Sequence, residues 1–319
     1  MSPVGRPQAD AEAQSGSHDR VPPELAKVLY SRSLELAKGA WGGIRIARTL
    51  SETYSLNLCP GTINHWIYGD RKPRLRNIFR ELPSPALSYI IGANKGDGCT
   101  ITKSGVVKLE VTDRDFAEEF NSCMAQLFSR AKPNRILTRR FDVKRLPLYI
   151  VKYSSVQLTS LLRMPLRRIL RLALVYPQDF LRGFFDAEGS VDVSAKTLFR
   201  YQIGAENTNI TLLREVKRVL QEEFGIQSVL DRKREPGAPK RIRGESFMTK
   251  RTSFAVLIRR LSGMRSFAVR IGFSIGRKQV KLQDAIRVLQ LYGREGGSLA
   301  WNKIYYKSNG EWIRSCHRL

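Results

Sequence analysis

Acidic residues are scarce in this chain. Its 319 residues hold 29 aspartates and glutamates against 55 lysines and arginines, a formal net charge of +26. A compact fold with that imbalance repels itself unless a polyanion is its partner. Nucleic acid is the usual partner, because basic side chains that displace its condensed counterions gain a release term. Histidine and cysteine are sparse as well. The histidines are His18, His65 and His317, and the cysteines Cys59, Cys99, Cys123 and Cys316 have no two members at metal-ligand spacing. That argues against a structural zinc site, and scattered cysteines read as reduced thiols. Long apolar runs are missing too, residues 86–93 being among the longest. Neither a membrane span nor a secretory segment is expected, which leaves a cytoplasmic location. What the chain does have is a 42% hydrophobic content, enough for a real core. On charge alone, ribosomal and other structural basic proteins stay open.

Residues 1–22 are rich in small and polar types and read as a disordered tail. Residues 23–80 read as a small all-α domain with a basic connector. A first helix is marked by Leu25, Val28, Leu29, Leu34 and Leu36, and a second by Ile44, Ile46, Ala47 and Leu50. Pro60 opens a third, shorter one. Two similar stretches follow, 82–165 and 175–295. In each, an apolar glycine-containing helix precedes β-like runs (106–111; 191–193 and 199–203). An amphipathic helix comes next (116–128; 212–224), then a basic polar stretch (132–145; 231–250) and a final helix (155–162; 252–261). The same order twice implies a duplicated domain. The role of residues 296–319 stays open, with Ser308-Asn309-Gly310 suggesting a hairpin turn between aromatic strands.

Two nine-residue windows, 90–98 and 181–189, carry the chemistry. Each has an apolar run, a glycine third, a small residue seventh, an acid eighth and a glycine ninth. This pattern describes a helix ended by glycine in a left-handed cap. Gly92 and Gly183, with Gly96 and Ala187, leave room for two such helices to meet backbone to backbone. The acids Asp97 and Glu188 then stand at helix C-termini, where the helix dipole disfavours them. Two side by side repel further, and a divalent cation is the simple offset. Magnesium suits carboxylate and phosphate oxygens, and paired metal sites serve phosphodiester cleavage. Two ordinary core helices with glycine caps remain the plainer reading.

The paired windows resemble the motif of the LAGLIDADG homing endonucleases in their monomeric, two-motif form, over roughly residues 82–281. The resemblance implies an α+β fold of two pseudo-symmetric αββαββα halves that form a DNA-binding saddle. It implies magnesium held at Asp97 and Glu188 with the preceding Gly96 and Ala187, and cleavage of both strands of a long double-stranded DNA target. The sixth position, Asp in the consensus, is Lys95 in the first window and Asp186 in the second, so the halves are unequal. The family also places a basic residue near each centre, at a strand end before the last helix. Lys152 and Lys250 fit, as stabilisers of the transition-state charge or as plain phosphate contacts. Asp113 and Asn207 are weaker candidates for positioning water. On the saddle strands, Arg139, Arg140, Lys144, Arg145, Arg200, Gln202, Arg232, Lys233 and Arg234 are candidates for base or phosphate contacts.

Residues 41–67 resemble a helix-turn-helix. Thr62, Asn64, His65 and Tyr68 are expected at a DNA groove, Arg71, Lys72 and Arg74 on phosphates, and Ile63, Trp66 and Ile67 in the core. A helical domain that packs without touching DNA is the alternative. Three functions follow: a site-specific endonuclease acting as a monomer, a non-catalytic DNA-binding regulator, and a maturase that binds intron RNA.

Overall fold

The computed structural model describes residues 23–69, 73, 77–139, 146–242, 245–308 and 311–315. They separate into two compact units, one of residues up to 78 with 155–157, the other of 79–154 and 158–319. Arg71, Lys72, Arg74, Arg140, Lys144 and Arg145 lie outside the described residues.

The first unit is helical: α1 (Pro23–Lys38), α2 (Gly43–Tyr54) and α3 (Pro60–Ile67). Leu29, Ile46, Leu50, Leu58, Ile63 and Trp66 form its core. Ser55 ends α2 in the left-handed region and Pro60 opens α3, so both boundaries follow local chemistry. Any Cβ on Gly43 would overlap the Asn64 side chain, so α2 and α3 meet closely there.

The second unit is α+β and internally duplicated. Its first half runs α4 (Pro85–Lys95), β1 (Cys99–Ile101), β2 (Val106–Val111), α5 (Arg114–Leu127), β3 (Leu137–Arg139), β4 (Leu148–Ser154), α6 (Val156–Leu162) and α7 (Leu166–Ala173). The second runs α8 (Pro177–Glu188), β5 (Gly189–Ala195), β6 (Phe199–Asn207), α9 (Ile210–Phe224), β7 (Val229–Arg234), a hairpin β8 (Pro239–Ile242)–β9 (Glu245–Met248), β10 (Ser253–Ile258), α10 (Leu261–Arg270) and α11 (Gly276–Ile304). The two sheets are antiparallel with the same order, β1-β2-β4-β3 and β5-β6-β10-β7. The amphipathic helices and the motif helices bury one face of each sheet, and the alternating strands leave the other face open.

Two expectations change here. Residues 252–261 are not a helix: Ser253–Ile258 form the buried strand β10, and the helix begins at Leu261. A short run of continuous apolar residues suits a buried strand as well as a helix, and periodicity does not separate them. The second half also exceeds αββαββα, by the β8–β9 hairpin and by a C-terminal extension. In the latter, α11 kinks at Gly293, whose positive φ of 64° suits glycine alone. Beyond it, β11 (Tyr305–Ser308) pairs with β12 (Glu311–Arg314), and Trp312 donates to the carbonyl of Val193 on edge strand β5 at 2.9 Å.

The motif helices α4 and α8 form the spine of this unit. A Cβ on Gly92 would overlap the Phe180 carbonyl oxygen and lie 2.8 Å from the Phe184 nitrogen. Gly183 meets Tyr89 and Ala93 in the mirrored way, its Cβ position 3.0 Å from the Ala93 nitrogen. Both obstacles are backbone and cannot rotate away. Gly92→Ala and Gly183→Ala are therefore each expected to lower stability by about 1–3 kcal/mol or more. Urea unfolding with an unchanged midpoint would contradict this. The closing glycines are a correction: neither Gly98 nor Gly189 (φ −80°) is left-handed. Glycine is needed at Gly96 for space, since a Cβ there would sit 2.9 Å from Glu188 Cγ.

Candidate functional site

The close packing of α4 on α8 brings the ends of both motif helices together, Gly96 against Ala187 and Glu188. Asp97 follows α4 and opens on a cavity of about 1180 Å³ shared with Glu110, Asp113, Asp186 and Lys278. It makes no hydrogen bond among the described residues. The protein around it pushes its carboxyl pKa up, Lys278 pulls it down, and Asp113 adds to the rise. Glu188 ends α8 and opens on a second cavity, of about 780 Å³, with Asn207, Lys233, Lys250 and Arg251. Asn207 donates to Glu188 Oε1 at 2.7 Å and to the Lys95 carbonyl at 3.3 Å, tying β6 to both motif helices.

Strand register decides which sequence candidates belong here. Asp113 and Asn209 are the N-caps of α5 and α9. Counting back, Val111 stands where Asn207 stands, so Asp113 and Asn207 are not equivalent. Asp113 is instead held by Arg277, at 2.5 and 2.8 Å to its two oxygens, so it is not a free water-positioning carboxylate. Val111 pairs with Tyr149, and Asn207 with Phe254. Lys250 therefore corresponds to Arg145, and Lys152 to Leu257. Lys152 lies exposed in the middle of β4, opposite Lys108, and does not line the Asp97 cavity. The expected equivalence of Lys152 and Lys250 fails. The strand before the second final helix ends later than the sequence suggested, because β10 occupies what looked like helix.

The unequal sixth positions do a matching job with opposite charge. Lys95 donates to the Leu162 carbonyl at 3.0 Å, at the end of α6. Asp186, 1% exposed, accepts from Tyr89 Oη at 2.8 Å, Ser274 N at 2.9 Å and Ser274 Oγ at 2.6 Å, ahead of α11. Burial raises its pKa, and the Ser274 and Tyr89 bonds offset part of that rise. Each ties its motif helix to the end of the helix that follows the sheet of its own half, at Leu162 of α6 and at Ser274 beyond α10.

Lys278 was not singled out by sequence reasoning. Its ammonium, nearly buried, donates to the Asp186 carbonyl at 2.7 Å and the Phe185 carbonyl at 3.5 Å. Both carbonyls lie in the last turn of α8, that of Phe185 also accepting from Gly189 N, and a cation there opposes the helix dipole. The chain thus supplies a positive charge of its own beside Asp97, so the placement of that acid alone does not demand a metal. Burial pushes the Lys278 pKa down to about 8, with Asp186 limiting the fall. A lysine lowered in the fold releases protons on folding, so its contribution to stability grows as pH rises from about 8 towards the unfolded value near 10.4. The raised acids act on the opposite, acidic side. Wild type is expected to gain stability over Lys278→Met between pH 7.5 and 9.5. A difference that stays constant across paired denaturant titrations would refute this.

On the open face of the second sheet, Arg200 and Gln202 lie on one side of β6, Gln202 bonded to Asp192 at 3.2 Å. Arg234 pairs with Glu206, Arg139 with Glu110, and Lys233 borders the Glu188 cavity. Arg232 pairs with Phe254 across the ladder, which puts it on the helix side of the sheet, where it meets Glu235. In α3, Ile63 and Trp66 are buried as expected, with Ile67 partly buried. Thr62 and His65 are half-buried, and Tyr68 is exposed. Asn64 is packed at the α2 N-terminus rather than facing outward, a correction that follows from the absent Cβ of Gly43.

For magnesium, the fit lies in the donor chemistry. Asp97 is an open carboxylate without a hydrogen bond among the described residues, and the Asn207 amide helps to orient Glu188, both at abutting helix ends on polar cavities. Among the described residues no three histidine, cysteine or acidic side chains are grouped to hold one ion, so a cation would complete its shell with water or phosphate oxygens.

Residues 176–272, most of the second half, match the model of a LAGLIDADG-like domain. The sheet order of this half recurs in the first half. Two uncharacterized proteins of Methanocaldococcus jannaschii are similar to the chain. One is 29% identical over 82% of this chain and 93% of its own length. The other is 29% identical over 46% and 56%. Among solved structures, full-length DUF199/WhiA from Thermatoga maritima is 17% identical, with a TM-score of 0.40, over 64% of this chain and 60% of its own length. The homing endonuclease I-DmoI in complex with DNA and Ca is 17% identical, with a TM-score of 0.41, over 62% and 97%. Among the described residues, no helix is long and apolar enough to cross a membrane.

Proposed function

We propose that this chain is a site-specific double-strand DNA endonuclease that uses magnesium at Asp97 and Glu188. The observation that carries the reading is the pair of carboxylates at abutting helix ends, each open to its own polar cavity. A chain of net charge +26 with an arginine- and glutamine-bearing open sheet suits double-stranded DNA.

Magnesium, when bound, supplies Lewis-acid stabilisation of the phosphate and a water of lowered pKa. The remaining work falls to the chain. Asp97 and Glu188 offer carboxylate oxygens, and Gly92, Gly96 and Gly183 keep the two centres close enough to act on neighbouring strands of one duplex. Asn207 orients Glu188, and Lys250 places positive charge beside it. Lys278 balances charge near Asp97. The first centre is the poorer one: Val111, Leu146 and Leu148 stand where the second has Asn207, Arg251 and Ser253. The strand facing Glu188 is therefore cut first. Helices α2 and α3 extend the footprint as a DNA-binding arm of residues 23–80.

The depleted first centre also favours a second reading, a DNA-binding protein without cleavage. Selection of cut sites from a random duplex library, with magnesium and beside an Asp97→Asn control, separates them. Recovery of one long asymmetric site from the wild type alone supports the nuclease. Specific binding with no recovered cuts supports the regulator.

A further inference from the structure

A second basic cavity lies away from both acids. It measures about 730 Å³ and is bordered by Arg214, Lys217 and Arg218 of α9, and by Arg259 and Arg260 between β10 and α10. Two of these cations are committed: Arg218 to Glu215 and Glu222, Arg259 to Asp231 and Gln202. Arg214, Lys217 and Arg260 are exposed and have no acidic partner among the described residues. The lone acid on the cavity wall, Glu222, is already neutralised by Arg218.

The Ser228 hydroxyl oxygen is buried in the cavity wall and has no hydrogen-bond partner. Three exposed cations without an acidic partner on one cavity, among them two arginines, match a phosphate group, which carries charge and several acceptor oxygens.

The duplicated half has nothing similar. Counting from the N-caps of α5 and α9, Arg214, Lys217 and Arg218 correspond to Glu118, Asn121 and Ser122. By strand register, Arg259 corresponds to Ser154. The cluster is therefore a property of the second half and not of the repeated architecture.

We propose that this cavity is a phosphate-binding site. Its phosphate comes either from a nucleic-acid backbone running past the far end of the second sheet or from a free polyphosphate. From Phe254, opposite Asn207, along β10 to Arg260 just beyond its end is six residues, or roughly 20 Å. That is about six base pairs from the Glu188 centre at 3.4 Å per pair. Phosphate capture itself is independent of the nuclease reading, and only the placement of DNA rests on it.

The test uses the full chain with Arg214→Ala, Lys217→Ala and Arg260→Ala combined. Its control replaces the exposed Arg167, Arg168 and Arg171 of α7 with Ala, removing equal charge elsewhere. Sodium tripolyphosphate binding is measured by calorimetry, and affinity for a 40-base-pair duplex (roughly 130 Å) is followed across salt. Loss of tripolyphosphate affinity by about tenfold in the cavity variant alone supports the site. If DNA is the source, the slope of log K against log salt also falls by about 0.9 for each phosphate released. An unchanged slope with lost tripolyphosphate binding assigns the site to a free anion. If the two variants match in both measurements, the proposal is overturned. A protein that cuts no DNA but shows the tripolyphosphate loss keeps this site while losing the nuclease reading.

Discussion

Asp97→Asn and Glu188→Gln are each expected to abolish double-strand cutting while sparing duplex binding. Each variant keeps one centre, so supercoiled plasmid carrying the selected site should accumulate as nicked circles, and the double variant should leave it supercoiled. The loss at the altered centre should reach at least about 10²–10³-fold, as when one preorganised stabilising group is removed from a reacting phosphate or carbonyl. Binding is spared because the open sheet faces, where Arg139, Arg200 and Gln202 lie, are untouched by either change. The two nicks should not be equal. Asp97→Asn leaves the centre equipped with Asn207 and Lys250, so it should nick faster than Glu188→Gln. Linear product from either single variant at the wild-type rate would remove Asp97 and Glu188 from the chemistry.

The second large effect is that of salt on affinity. With a net charge of +26, binding that neutralises six to ten phosphates should weaken roughly 10³–10⁵-fold between 50 and 200 mM salt. The dependence should be the same for the wild type and for Asp97→Asn, since it reports counterion release and not catalysis. A flat response over that range would argue against a DNA saddle for this chain, whatever its motifs.

Much of the centre was legible because its constraints are local. A backbone-to-backbone crossing of two helices requires glycine where the chains touch, and Gly92 and Gly183 announce that crossing in the sequence. The eighth-position acids follow by spacing alone, since a helix end carries them to the same place in both copies. The closing glycines were rightly noticed and wrongly explained: Gly98 and Gly189 are not left-handed, and a Cβ on either would run into the preceding turn, 2.6 Å from Asn94 Cα at Gly98.

What failed was everything that depends on pairing between distant segments. Lys152 and Lys250 look equivalent from their neighbours, but the hydrogen-bond register aligns Lys152 with Leu257. Asp113 looked like a partner of Asn207 until its ion pair with Arg277, 164 residues away, came into view. Lys278 sits on α11 among other basic residues and has no local mark, because its role arises only when that helix docks its ammonium on the carbonyls of α8. The sequence by itself determined the duplication, the two acids, the glycine crossing and the basic character, all carried by periodicity, spacing and composition. The tertiary structure alone decided which cations stand beside those acids, which half is better equipped, and where a second basic cavity opens, because strand register and helix docking are set by long-range packing.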